Sequence, residues 1–420
     1  MAPNDQYRNQ AEPAMHLLTF RVVGHPELAN AQWIHVGRGT TILRGARDEQ
    51  FRALLQMLQT INPPCDIRAV DPFRDLPRSI AGPSYSRQII PTKKTAAIAV
   101  FAASSELVRE LSVIDPLYLA ADRVEFGRRR DYSLWTNFVE LAGSARYSEL
   151  DPHLCELLSR IGREGEEAAG RLQGAIAGLR GTDRIRGDIE GELRERLEAL
   201  RPFLPDKSLG RLDTCLNTVN RAQHFRQARQ KAVERLPCLF SLNTATLGFT
   251  AQPPADLLAA VAASSPLDYL AGLLDSGPAG TASTARTLER VNLALQSCFP
   301  QLALYCRAGN GGLLLESGKG PYARPFTELP PLRRMMALLA AATVIHQEIR
   351  GNPPLWLIDV SDIRLSSEEQ IELVQFLYRK DGQWQCLVNP GRELLALCEE
   401  RISSRAKDAF AMLYLAEARP

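Results

Sequence analysis

The stretch from Thr40 to Leu58 constrains this chain more than any other. Thr41, Ile42 and Leu43 are β-branched or apolar, Gly45 breaks the run, and Phe51, Leu54, Leu55 and Leu58 recur at helical spacing. Strand, glycine and helix in that order form the frame of a phosphate-binding loop. In such a loop the glycines let backbone N–H groups and the helix N-terminus wrap a phosphate. A lysine reaches the outer phosphates and a Ser or Thr holds magnesium. Here the frame stands without its chemistry. Laid over G-x-x-x-x-G-K-S/T, Gly45 takes the first glycine, Gln50 the second, Phe51 the lysine and Arg52 the Ser/Thr. An ordinary strand-to-helix turn has the same outline, and the far end of the chain separates the two readings.

There, Leu329-Pro330-Pro331-Leu332-Arg333 opens an apolar helix over Met335–Ile345, and Leu355-Trp356-Leu357-Ile358 forms a strand that ends in Asp359. Between the two ends, Leu154, Leu158, Ile161, Gly165, Ala168, Leu172, Ala175 and Leu179 alternate by fours and threes, and the pattern resumes at Ile189, Leu193 and Leu200. That is the seam of a helix packed along another helix. Arg201 to Asp206 (RPFLPD) breaks it, and Leu209, Leu212, Leu216, Val219 and Val233 begin a second run. The spacing predicts a short, bent antiparallel hairpin with its tip near Pro202–Pro205. Eight glycines between Gly162 and Gly191 argue against a long rigid rod.

Taken together, these stretches resemble the ABC-type ATPase heads of the SMC/RecF/RecN group. Leu43, Arg44, Gly45 and the helix after them match the Walker A region, the Pro330 loop stands at the signature position, and Leu355–Asp359 matches Walker B. The resemblance implies an α/β fold: a P-loop, ABC/SMC-like head split by a short antiparallel helical (coiled-coil) hairpin. It places an N-terminal lobe at 1–150, the hairpin at 151–236 and a C-terminal lobe at 237–420.

The chemistry that the resemblance implies is eroded at each point. Pro330 replaces the signature serine and also removes an N–H donor. Asp359 is kept, but Val360 stands where a catalytic Glu would polarise water, and Val cannot do so. Leu365-Ser366 takes the place of the D-loop Leu-Asp, and Asn389-Pro390-Gly391 follows the late strand Gln385–Val388 where a switch histidine is expected. Asp359 then serves equally well as a polar cap on its strand.

A catalytically inactive head is the expected outcome, with no cofactor. Arg44, Gly45, Arg47, Arg52 and Asp359 outline a vestigial nucleotide site, and Leu329, Pro330, Asp362 and Leu365 outline an interface. By resemblance, the partner is a second copy or an active ATPase, nuclease or clamp subunit, in bacterial DNA maintenance or defence against foreign DNA. One alternative is a diverged ATPase that binds ATP and magnesium with Arg44, Arg47 and Arg52 in place of the lysine. Another is a two-domain scaffold unrelated to P-loop folds, which a structure without a central sheet beside the Gly45 turn would favour. Arg128-Arg129-Arg130, followed by Tyr132 and Trp135, is the candidate nucleic-acid contact; a solvated turn is its plainer reading.

Other elements follow from pattern. His16–Val23, Trp33–Val36, Thr95–Ala103 and Cys238–Leu242 read as strands, Glu106–Ile114 and Thr284–Cys298 as helices, and Tyr118–Arg128 as extended. Ser276–Ser283 reads as a loop, and Asn310-Gly311 as the turn of a hairpin. His346 and Glu348 lack the spacing of a zinc helix, and Asp359, Asp362 and Glu368 make only a weak D-x-x-D metal pattern. The 50 basic and 48 acidic side chains leave a net charge of +2, which argues against a strongly basic nucleic-acid surface. No apolar run has the length of a membrane span, the N-terminus shows no signal-peptide pattern, and the eight cysteines contain no C-x-x-C pair. A cytoplasmic protein with neither a zinc site nor a disulfide framework is expected.

Overall fold

Phe51, Ala53, Leu54, Leu55, Met57 and Leu58 are buried and take up more than half the circumference of one helix, and an apolar face that wide is stable only when covered from more than one side. The computed structural model of the chain shows what covers it. It describes residues 15–25, 28, 33–44, 48–64, 66–70, 72–73, 94–243, 266–275, 280–309, 312–318, 323–361, 363, 365–379, 384–390, 396 and 410–414. Two compact units divide the chain. The larger takes Met1–Ser104, Glu125–Trp135 and Arg235–Pro420, and the smaller takes Ser105–Val124 and Thr136–Glu234. The smaller unit starts before the expected 151, while its end at Glu234 lies two residues from the expected 236.

The larger unit opens with β1 (Met15–Val22), β2 (Ile34–His35) and β3 (Thr40–Arg44), then the covered helix α1 (Asp48–Gln59), a single turn α2 (Ile67–Val70) and β4 (Thr95–Ala103). β5 (Arg123–Arg129) and β6 (Leu134–Phe138) complete a five-stranded sheet ordered β2-β1-β4-β5-β6, in which β1 runs antiparallel to both β2 and β4. The extended segment expected from Tyr118 starts later than its sequence pattern indicates. Pro116–Ala120 is a 3-10 turn capped by the Asp115 carboxylate, which accepts from Leu117 N at 2.9 Å. On β5, Gly127 lies under the Trp135 indole of β6, and Trp135 Nε1 donates to Thr95 Oγ1 of β4 at 3.1 Å.

The smaller unit is helical: α3 (Ser105–Ile114), α4 (Tyr147–Leu158), α5 (Glu166–Ile176), α6 (Asp188–Glu198) and α7 (Asp206–Glu234). Only the returning arm is one helix, the 29-residue α7, which starts directly after the Pro202–Pro205 break. The outgoing arm is three short helices, so the predicted hairpin is a packed bundle. The chain breaks at a 3-10 turn over Arg163–Gly165, and again before α6 at Gly187, whose φ of 60° excludes most side chains. The alternating apolar residues survive these breaks, and Leu154, Leu172, Leu193, Leu212 and Val219 share one buried core.

The chain then returns to the larger unit with β7 (Leu239–Leu242), α8 (Pro266–Asp275) and α9 (Gly280–Cys298). α9 begins inside the stretch expected to be a loop, and residues 276–279 lie outside the described residues. β8 (Leu304–Gly309) and β9 (Gly312–Ser317) pair antiparallel with Gly309 opposite Gly312, as a two-residue Asn-Gly turn requires; the turn residues themselves lie outside the described residues. β10 (Arg324–Pro325) adds to β9.

α10 (Pro331–Arg350) is buried without interruption from Met335 to His346. Pro331 occupies its first turn, where no N–H is needed, and Gly351 closes it at φ 74° with its N–H on Gln347 O. β11 (Leu355–Asp359), α11 (Ser367–Arg379), β12 (Gln385–Asn389) and β13 (Phe410–Tyr414) follow. They complete an all-parallel sheet ordered β13-β3-β12-β11-β7. α1 packs between the two large sheets, against β1 and β4 on one side and β7, β11 and β12 on the other. β3, the strand just before Gly45, lies in a central parallel sheet, which counts against the scaffold alternative.

Candidate functional site

In an open parallel sheet, ligands are held at the carboxyl ends of the strands. Here the ends of β11 and β12 lie side by side, with Asp359 opposite Asn389, and β3 is next in order on the far side of β12. α1 starts at Asp48, so its first two turns face this edge of the sheet, and Arg52 projects from them to Asp359.

The Asp359 carboxylate is buried and bonded at both oxygens. Oδ1 accepts from Ser361 N at 3.2 Å, Ser361 Oγ at 2.6 Å and Asn389 Nδ2 at 3.0 Å. Oδ2 accepts from Arg52 Nε at 3.4 Å. Asp359 therefore ends its strand by capping the turn to Ser361, and a cation fixed in the chain balances its charge. Magnesium in a P-loop is held between the Ser/Thr of the helix and the strand-end carboxylate. A guanidinium stands at the first of those positions and bonds the second, so the residues present do not fit magnesium. Phe51, at the lysine position, is 4% exposed and belongs to the core, so its ring does not project toward a phosphate as the alignment alone suggests. Val360 is buried as well, and its N–H is committed to Asn389 O at 3.1 Å.

The other residues singled out by sequence divide sharply. Arg44 ends β3, and Gly45, Arg47 and Asp362 lie outside the described residues. Of the interface candidates, Leu329 is buried in the core, Leu365 is partly buried against it, and Pro330, the N-cap of α10, is exposed. Arg128 is not a phosphate contact. It is buried on β5, Nε donates to Thr60 O and Nη2 to Ile61 O at 2.7 Å each, and Nη1 donates to Tyr132 O. Thr60 and Ile61 carry the carbonyls just past α1, so the guanidinium caps that helix C-terminus. Burial lowers the Arg128 pKa to about 10, and it lowers that of Arg130 as well. Arg129 donates to Ser133 Oγ at 3.3 Å. His346 is buried in α10, while Glu348 pairs with Arg290, and among the described residues no three His, Cys, Asp or Glu side chains are grouped for a metal.

Two buried amides that organise this unit carry no sequence signal. Gln385 of β12 bonds Leu17 and Gly37, and Asn292 of α9 pairs with Cys306 of β8, accepting from its N at 2.7 Å and donating to its O at 2.8 Å. Polar residues at such positions read as solvent-facing until the packing is known.

No protein-family model matches the chain, and no curated protein matches it. Solved structures do. The Smc head domain with an extended coiled coil bound to the C-terminal domain of ScpA, from Pyrococcus furiosus, is 12% identical over 91% of each chain, with a TM-score of 0.37. The SMC head domain from Thermotoga maritima is 8% identical over 91% of each chain, also at 0.37. The recombination mediator protein RecF-ATPrS of the RecFOR pathway is 11% identical over 96% of this chain and 97% of that one, at 0.31. The chain's own build is α/β: β3 followed by α1, an Asp-tipped β11 in the same parallel sheet, a flanking sheet packed on the other side of α1, and a largely helical unit formed by residues that lie between Ser104 and Arg235 in the sequence.

Proposed function

We propose that this chain is a catalytically inactive ABC/SMC-like subunit, a structural partner in a multiprotein bacterial complex for DNA maintenance or defence against foreign DNA. The observation that carries this reading is the Arg52–Asp359 pair. Stabilising a triphosphate and its transition state needs a lysine, a metal and a polarised water. At this strand edge Asp359 is bonded to Arg52, the lysine position is a core phenylalanine and the general-base position is a buried valine. The link to DNA comes from the sequence resemblance, and the partner is a second copy or an active ATPase, nuclease or clamp subunit. The arginine-based nucleotide alternative loses one of its three arginines to Asp359.

The experiment is purification of the tagged chain from its native host, with mass spectrometry and mass photometry of the eluate and a thermal shift with MgATP. Co-elution with an intact ATPase or nuclease subunit, or a stable dimer, with no response to MgATP is the expected result. A lone monomer overturns the partner role. A MgATP shift abolished by Arg47→Ala overturns inactivity in favour of the diverged ATPase.

A further inference from the structure

We propose that Arg52 is a built-in counter-cation: its guanidinium takes, as part of the chain, the charge position between α1 and the ends of β11 and β12 that a diffusible divalent cation would otherwise fill. The inference rests on the inactive-head reading and adds what holds the site closed. Asp359 is 8% exposed, and three donors saturate its Oδ1, which leaves Oδ2 to Arg52. A carboxylate this deeply buried is costly without a positive partner.

Asn389 supplies the second, independent observation. It is 1% exposed, its Nδ2 donates to Asp359, and its Oδ1 has no hydrogen-bond donor among the described residues. A buried acceptor oxygen beside a carboxylate makes an electron-rich place that favours a cation. Arg52 reaches it from α1, 307 residues away in sequence. A guanidinium stays charged at every physiological pH and cannot be chelated, so α1, β11 and β12 are tied together whatever the metal or nucleotide supply.

The test uses the full chain and Mn2+ alone as probe, read by loss of the free-ion EPR signal and by thermal midpoint. Wild type is expected to bind no Mn2+ and to keep the same midpoint in millimolar Mn2+ or EDTA. Arg52→Ser is expected to lower the midpoint, to bind Mn2+ at least tenfold more tightly than wild type, and to regain part of its midpoint on binding. Adding Asp359→Asn to it should abolish that gain, and Arg52→Lys, which keeps the charge, should exclude Mn2+ as wild type does. Asp359-dependent Mn2+ binding by wild type or by Arg52→Lys overturns the proposal, as does a folded Arg52→Ser variant with no gain. If Arg52→Ser is unfolded, recovery on adding Mn2+ or Asp359→Asn supports the pairing, and recovery with neither overturns it. Failure here leaves the partner role standing, because co-purification and the MgATP response are read separately.

Discussion

Gln385 of β12 and Leu17 of β1, 368 residues apart in sequence, exchange two hydrogen bonds of 2.7 Å each. The side-chain amide behaves as a peptide group. Oε1 accepts from Leu17 N, while Nε2 donates to Leu17 O and to Gly37 O, also at 2.7 Å. β2 covers only Thr19 and Phe20 of β1, and the register of β1 on β4 shifts between Leu17 and Thr19, so Gln385 completes an edge that no strand completes. One side chain thereby links the two large sheets of the larger unit.

Gln385→Leu leaves the two buried Leu17 groups and the partly buried Gly37 carbonyl without this partner, each worth roughly 1 kcal/mol or more. We expect a loss of about 3 kcal/mol in urea unfolding. Gln385→Glu should be no better, because an ionised carboxylate cannot donate to the Leu17 and Gly37 carbonyls. A change below about 0.5 kcal/mol for both variants denies the link.

Arg128 makes a stability prediction where its sequence context suggested a nucleic-acid one. Arg128→Met removes the donors to Thr60, Ile61 and Tyr132 and frees the end of α1. The expected cost is about 3 kcal/mol, with no change in retention on a DNA column. Selective loss of DNA retention in a variant of wild-type stability would reverse this assignment.

His346 sets a pH dependence. Burial in α10, with Arg350 nearby, depresses its pKa from 6.5 to about 3. Below pH 6.5 the unfolded chain takes up a proton that the folded chain refuses, so this residue's contribution to stability falls as pH falls toward about 3. The slope is about 1.4 kcal/mol per pH unit for one proton. Above pH 6.5 both states are neutral at this position and the slope vanishes. Chemical denaturation from pH 4 to pH 8 should show the His346→Leu variant losing about that much acid sensitivity relative to wild type; parallel curves would place the acid sensitivity elsewhere.

Gly127 is the one glycine in β5 and leaves no room for a methyl group. A Cβ there would lie 2.1 Å from Trp135 Cε2. Gly127→Ala must displace the indole and break its hydrogen bond to Thr95. We expect a cost of about 2 kcal/mol and a red-shifted tryptophan emission. Unchanged emission would mean that the backbone yields instead of the ring.

The amino-acid order by itself determined what depends on neighbours in the chain. The strand–glycine–helix at Thr40–Leu58, the apolar stretch of α10 between Pro331 and Gly351, the β11 strand tipped by Asp359 and the Asn-Gly hairpin of β8 and β9 all follow from local periodicity and turn chemistry. The erosion of the phosphate-loop residues is equally plain in one dimension.

Only the tertiary structure decided which charges meet. Arg128 and Arg52 are the same residue type in sequence, yet one caps the end of α1 and the other balances Asp359. The helical seam likewise persisted across three separate helices, because a buried face needs apolar residues in the right places and not an unbroken backbone. A polar side chain carries the same letter whether it meets water, a carbonyl or a carboxylate. The difference lies in the desolvation of that one group, and burial is set by residues hundreds of positions away.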